Sequence, residues 1–210
     1  MPSPIIYLAT SNSGKVRELR EAADALTLAL DPLPGLSDIT PPIEDGVTFE
    51  QNARIKAEYY SQFAPGKLVL AEDSGLSVDA LNGAPGVYSA RYAAMLQSGS
   101  TSHENSDDQA NNLALITQLE RLPGHQFAGK YVCVIAVARD GNTLATFTGE
   151  AHGELRTVPR GTQGFGYDPL FYFPALDQTF AELSLKLKRE YSHRGKAFRS
   201  FLDWYLQQPH

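Results

Sequence analysis

The sequence predicts an α/β fold with a mixed central sheet. Short apolar runs of strand length recur along the chain at Ile5–Ala9, Lys67–Ala71 and Tyr131–Ala138. Amphipathic stretches of helical period lie between and after them. Asp140-Gly141 is a hairpin signal, so at least one neighbouring pair runs antiparallel and strands and helices do not strictly alternate.

Each element has its own warrant. Ile5-Ile6-Tyr7-Leu8-Ala9 reads as a strand and Thr10-Ser11-Asn12-Ser13-Gly14 as a turn-rich loop. A helix is expected from Lys15, with Val16, Leu19, Ala22, Ala23 and Leu26 on one face. Residues 31–47, which hold Pro32, Pro34, Pro41 and Pro42, are loop or irregular strand. Thr48 with Gln51 three positions on is a capping-box pattern, and the helix it opens carries Phe49, Ala53, Ala57 and Tyr60 on one stripe. Lys67–Ala71 follows Pro65-Gly66 as a buried strand that Ser74-Gly75 is expected to end. Leu76 to Leu81 alternates and turns at Gly83-Ala84-Pro85-Gly86. The polar residues 97–109 read as a mobile loop, followed by a helix marked by Leu113, Ile116 and Leu119. Tyr131–Ala138 pairs through Asp140-Gly141 with Thr143–Gly149. Gly161-Thr162-Gln163-Gly164-Phe165-Gly166 is a glycine-rich loop before Tyr167-Asp168-Pro169 and the apolar Leu170–Phe173. A last helix starts near Ser192 and turns Ala197, Phe198, Phe201, Leu202 and Tyr205 inward.

Size and composition narrow the function. A chain of 210 residues is one domain, or one domain with two lobes, and no linker or repeat divides it. Its net charge of −6 argues against a duplex nucleic-acid binder, whose footprint is basic, but leaves nucleotides open. Cys133, the single cysteine, excludes an intrachain disulfide and a multi-cysteine zinc site, and its apolar setting suits a buried filler. No apolar run reaches membrane length. Met1-Pro2-Ser3-Pro4 lacks the basic start of a secretory signal, so a cytoplasmic protein is expected.

The chemistry concentrates in a few places. Glu72-Asp73 sets two carboxylates at the expected strand end, where α/β folds place their sites. They repel unless a bound divalent metal or a raised pKa compensates, although a plain charged loop has the same residues. Thr10 to Lys15 leads from a strand through small polar residues into a helix N-terminus, a ready anion site. It lacks the upstream glycine of a Walker loop, and Val16 follows the lysine, so an ordinary helix cap fits it equally. Asn52 and Lys56, at i and i+4, project together and could hold phosphate oxygens near Glu44, or form a surface polar pair. In Gly161–Asp168, Phe165 and Tyr167 offer ring faces to a base and Asp168 offers acceptors, or the rings are core. Lys188 and Ser192-His193-Arg194-Gly195-Lys196 place cations at a helix start, where they oppose the dipole.

Together these segments resemble the inosine triphosphate pyrophosphatase family. The matching residues are Leu8–Lys15, Thr48–Ala53 with Lys56, Glu72–Leu76, Gly83–Tyr92, Gly164–Pro169 and Ser192–Gly195, in the family's order and across nearly the whole chain. The resemblance implies an elongated mixed β-sheet with flanking helices, two lobes around a central cleft, and a homodimer. It implies hydrolysis of ITP, dITP and XTP to the monophosphate and pyrophosphate, which cleans the nucleotide pool. Asp73 would be the general base, and Glu44 and Asp73 would hold Mg²⁺ with Glu72 nearby. Thr10, Ser11, Asn12, Ser13, Gly14, Lys15, Lys56 and Ser74 would contact the triphosphate, and Asn52, read above beside Lys56, joins them as a substrate-binding residue. Phe165, Gly166, Tyr167, Asp168, Lys188, His193 and Arg194 would contact the base. Ser11 and Gln163 stand where the family often has glycine, as does Ala94 after the Ala-Arg-Tyr motif. A related pyrophosphatase for modified pyrimidine nucleotides and a non-catalytic nucleotide-binding protein are the other readings; neither nucleic acid nor membrane is an expected partner.

Overall fold

The computed structural model describes residues 5–24, 28–98 and 105–208. Met1–Pro4, Leu26 and residues 99–104 of the expected polar loop lie outside the described residues. In chain order come β1 (Ile6–Leu8), α1 (Ser13–Asp24), β2 (Leu30–Pro32), α2 (Phe49–Ser61), β3 (Val69–Val78), α3 (Tyr92–Ser98) and α4 (Asp108–Leu119). They are followed by β4 (Phe127–Arg139), β5 (Asn142–Leu155), β6 (Phe171–Phe173), β7 (Gln178–Thr179), α5 (Leu185–Tyr191) and α6 (His193–Tyr205). The sheet has seven strands in the order β2-β1-β3-β4-β5-β6-β7. β1 is parallel to β2 and β3, whereas β6 is antiparallel to β5 and β7, so the sheet is mixed as expected.

Local signals set several boundaries. Thr48 Oγ1 accepts from Gln51 N at 3.2 Å while Gln51 Oε1 accepts from Thr48 N at 3.2 Å, which closes the capping box of α2. Ser192 caps α6 by accepting from Gly195 N at 3.0 Å. Asp140 and Gly141 both have positive φ, 52° and 80°, as a two-residue turn between β4 and β5 demands.

Other boundaries depart from the expectation. α1 begins at Ser13, not Lys15, because Asn12 Oδ1 already accepts from Lys15 N at 3.1 Å. β3 does not end at Ser74-Gly75 but runs on to Val78, merging the two expected strands. Its place between β1 and β4 pairs it on both sides, so a glycine thins it without stopping it. Residues 92–98 are helical, and α4 takes up the end of the expected polar loop. α5, a single short helix, was not foreshadowed, and Lys188 lies within it instead of at a helix start.

The chain divides into two compact units. The first comprises Met1–Ser74, Cys133–Glu150 and Arg189–His210. Its core joins Ile6, Leu8, Leu19, Leu70, Ile135, Phe198 and Phe201, drawn from α1, α6 and the strands beneath them. Gly149 lets α6 settle on β5, since a Cβ there would lie 2.1 Å from His193 O. The second comprises Gly75–Val132 and Ala151–Lys188, with a core of Leu76, Leu115, Tyr131, Leu155, Phe171 and Phe180. Tyr131, Phe171 and Phe180 are in mutual ring contact there.

Candidate active site

In the first unit, the loop after β1 presents Ser11, Asn12 and Ser13 to solvent. Thr10 Oγ1 accepts from Asn12 N at 3.2 Å, which shapes the loop before α1 begins. Lys15, in the first turn of α1, reaches β3 and places Nζ 3.0 Å from Glu72 Oε1.

Glu72 is buried and surrounded by cations. Arg194 Nε donates to its Oε2 at 2.8 Å, and the Cys133 thiol to the same oxygen at 3.1 Å. Arg194 is itself buried, with one terminal nitrogen on Glu18 at 2.5 Å and the other on Ser74 Oγ at 3.1 Å. Burial pushes the Glu72 carboxyl up, but Arg194 and Lys15 outweigh it and hold the group well below the usual carboxylate range. Burial and the Glu72 charge push the Cys133 thiol well above its ordinary value, so it stays protonated, the buried filler expected. Glu18 was missed by sequence reasoning. Its signal was its place one turn after Lys15, beside the core residue Leu19.

Asp73 meets a different set. Lys56 Nζ donates to Asp73 Oδ1 at 2.9 Å and to Glu44 Oε2 at 2.8 Å, so one ammonium joins the two carboxylates. Asn52 Nδ2 lies 3.4 Å from Asp73 Oδ2, while Asn52 Oδ1 accepts from Gly46 N at 2.8 Å and ties the loop of Glu44 to α2. Asn52 is only 1% exposed, so the Asn52–Lys56 pair is an interior one. Burial raises the Asp73 pKa against the pull of Lys56 and Lys15. Burial opposes the charge on Lys56, and Asp73 and Glu44 together overcome it and raise its pKa.

A divalent metal fits this arrangement. The Lys56 ammonium marks a position where Glu44 and Asp73 already converge on a positive charge. No group of three or more His, Cys, Asp and Glu able to hold a metal occurs among the described residues. A pair of carboxylates is the protein share of a Mg²⁺ site completed by water and phosphate oxygens.

In the second unit, Asp168 Oδ2 accepts from Phe165 N at 3.1 Å and from Lys188 Nζ at 2.5 Å. Lys188 Nζ also lies 5.9 Å from the centre of the Phe165 ring. Gly164 is required here: its φ is +82°, and a Cβ would stand 2.0 Å from Asp168 Oδ2 and 2.5 Å from Lys188 Nζ. Tyr167 departs from expectation. It is 3% exposed, packs in the core and donates its hydroxyl to Ser89 O at 2.8 Å, so a ring face is left to Phe165. Burial drives the Tyr167 pKa far up, which keeps that donor protonated. The residues grouped from sequence as base contacts thus fall in both units: Phe165, Gly166, Tyr167, Asp168 and Lys188 in the second, buried His193 and Arg194 in the first.

The Ham1 family profile matches residues 6–204. The chain belongs to the Ham1 family. Among its relatives, the protein of Acidobacterium capsulatum called dITP/XTP pyrophosphatase is 51% identical over 94% of this chain and 96% of its own length. The dITP/XTP pyrophosphatase of Thermus thermophilus is 41% identical over 97% and 93%. The solved HAM1 protein of Coxiella burnetii superposes with a TM-score of 0.80 at 35% identity, covering 98% of this chain and all of that one (100%). The Ham1 protein of Staphylococcus aureus gives a TM-score of 0.77 at 37% identity, covering 97% and 98%. The mixed, helix-flanked sheet is therefore the Ham1 fold, and the family resemblance carried by the motifs is borne out. No helix among the described residues of this Ham1-family chain is long and apolar enough to cross a membrane.

Proposed function

We infer that this chain hydrolyses non-standard purine nucleoside triphosphates, dITP, XTP and ITP, to the monophosphate and pyrophosphate. The carrying observation is the Glu44–Lys56–Asp73 cluster in a chain similar over nearly its full length to proteins named for that activity. Asp73 is the general base: its carboxylate orients a water and takes its proton as the oxygen attacks the α-phosphorus. Asn52 and Lys56 fix the carboxylate by its two oxygens. Glu44 and Asp73 hold Mg²⁺, which when bound neutralises the triphosphate and the leaving pyrophosphate. The Thr10–Lys15 loop, at the N-terminus of α1, supplies backbone and hydroxyl donors to phosphate oxygens, and Ser74 and Lys56 add to them. Phe165 stacks on the purine, with Asp168 and Lys188 at its edge. A homodimer is implied by the resemblance, and light scattering in solution checks it.

The deciding experiment is product analysis. With Mg²⁺, ITP should yield IMP and pyrophosphate in equal amounts, without IDP or free phosphate. IDP as the first product would overturn attack at the α-phosphorus. Turnover of modified pyrimidine nucleotides in preference to ITP would replace the substrate class, and no pyrophosphate from any nucleotide would leave a binding protein.

A further inference from the structure

Two side chains one turn apart on α4 grip the same residue of the Phe165 loop. Asp108 Oδ2 accepts from Gly166 N at 2.7 Å, and Asn112 Nδ2 donates to Gly166 O at 3.0 Å. Gly166 has a φ of +61°, a conformation that external hydrogen bonds at both its N–H and its C=O hold in place. The helix making this grip is itself anchored. Asp107 caps it by accepting from Ala110 N at 2.7 Å. Asn111, 3% exposed, accepts from Ala93 N at 3.0 Å and donates to Ala90 O at 3.1 Å. The segment so held also receives the Tyr167 hydroxyl, on Ser89 O at 2.8 Å. Gly166 and Tyr167 are therefore tied into a ring of hydrogen bonds that runs through Asn112, Asn111, Ala90 and Ser89. The loop's neighbours on either side, Phe165 and Asp168, are the groups assigned to the purine.

We propose that Asp108 and Asn112 are positioning residues for the purine: by clamping Gly166 they fix the Phe165 ring and the Asp168 carboxylate, and so set nucleotide affinity at the base end. The proposal rests on the reading of Phe165–Asp168 as the purine site. It places Ser89 and Ala90 of the Ser89-Ala90-Arg91-Tyr92 motif in the frame behind the loop. Both side chains bond to Gly166, and neither bonds to Glu44, Lys56 or Asp73, so their loss should act on binding and leave the chemical step.

The test compares two ligands in the Asp73→Asn background: ITP, which has a base, and inorganic tripolyphosphate, which has none. Asp108→Ala and Asn112→Ala should each raise the Kd for ITP about five- to tenfold while tripolyphosphate binding changes by less than about twofold. Asp108→Asn keeps an oxygen that can accept from Gly166 N–H, so it should recover most of the ITP affinity. In the active enzyme the same variants should raise KM for ITP and leave kcat nearly unchanged. Phe165→Ala separates the two readings. If it weakens ITP while both α4 variants bind ITP normally, the clamp is refuted and the purine site stands. If Phe165→Ala itself leaves ITP binding unchanged, the purine site falls and the clamp with it. Equal weakening of ITP and tripolyphosphate by the α4 variants would show a general structural role and would also refute the proposal.

Discussion

Glu72 and Asp73 are neighbours in the chain whose carboxylates form ion pairs with different cations. Successive side chains of a strand point to opposite faces. Because β3 runs through both residues, Glu72 meets Lys15 and Arg194 while Asp73 meets Lys56. Burial acts on both, yet Glu72 is held far down and Asp73 is pushed up. The first carboxylate is thereby a fixed negative charge, and the second is the more readily protonated of the two.

Asp73→Asn keeps the shape and removes the proposed base. Pyrophosphate release from ITP should fall by roughly 10²–10⁴-fold in kcat with the circular dichroism spectrum unchanged. Near-normal turnover would remove Asp73 from that role.

Glu72→Gln should act on stability. It takes the carboxylate from two cations that β3, α1 and α6 bury, and breaking such a pair costs about 3–5 kcal/mol. Arg20→Met breaks the exposed Arg20–Asp31 pair, about half exposed on each side (47% and 53%), and should cost no more than about 1 kcal/mol. Urea unfolding of both variants checks the contrast, and equal midpoints would contradict it.

Gly164→Ala should weaken nucleotide binding without touching Asp73. The added methyl would displace Asp168 and Lys188 and force a side chain into the left-handed region. A rise in KM for ITP of about tenfold or more is expected from losing those polar contacts, and steady-state kinetics measure it.

EDTA should abolish pyrophosphate release and Mg²⁺ should restore it. The fold should be unaffected, because the Lys56 ammonium already bridges Glu44 and Asp73 in the absence of metal. A fall in Tm on chelation would show that a metal is part of the folded structure.

What could be read from the sequence was what neighbours along the chain decide. The Thr48 cap, the helix start near Ser192, the Asp140-Gly141 turn and the inward face of α6 depend on residues a turn away, and they stand as expected. The length of β3 depended on its partners β1 and β4, which a glycine in its own sequence cannot announce. Glu18 became visible only when folding brought Arg194 to it from 176 positions away. Asp108 and Asn112 were hidden by composition. The polar stretch 97–109 that holds Asp108 reads as loop, and Asn112 follows it as one more polar residue, until both are seen to bond to the backbone of Gly166.

The two units are not stored as two stretches of chain. Residues of the first come before, within and after those of the second. A nucleotide-handling module of this kind cannot be passed on in halves. A recombination point placed after Ser74 would keep Lys15, Glu18, Glu44, Lys56 and Glu72 but draw Arg194 from another lineage, and that arginine would still have to fit Glu72 and Glu18. A chimaera joined there is therefore expected to lose stability wherever the two parents shape the Arg194 contacts differently.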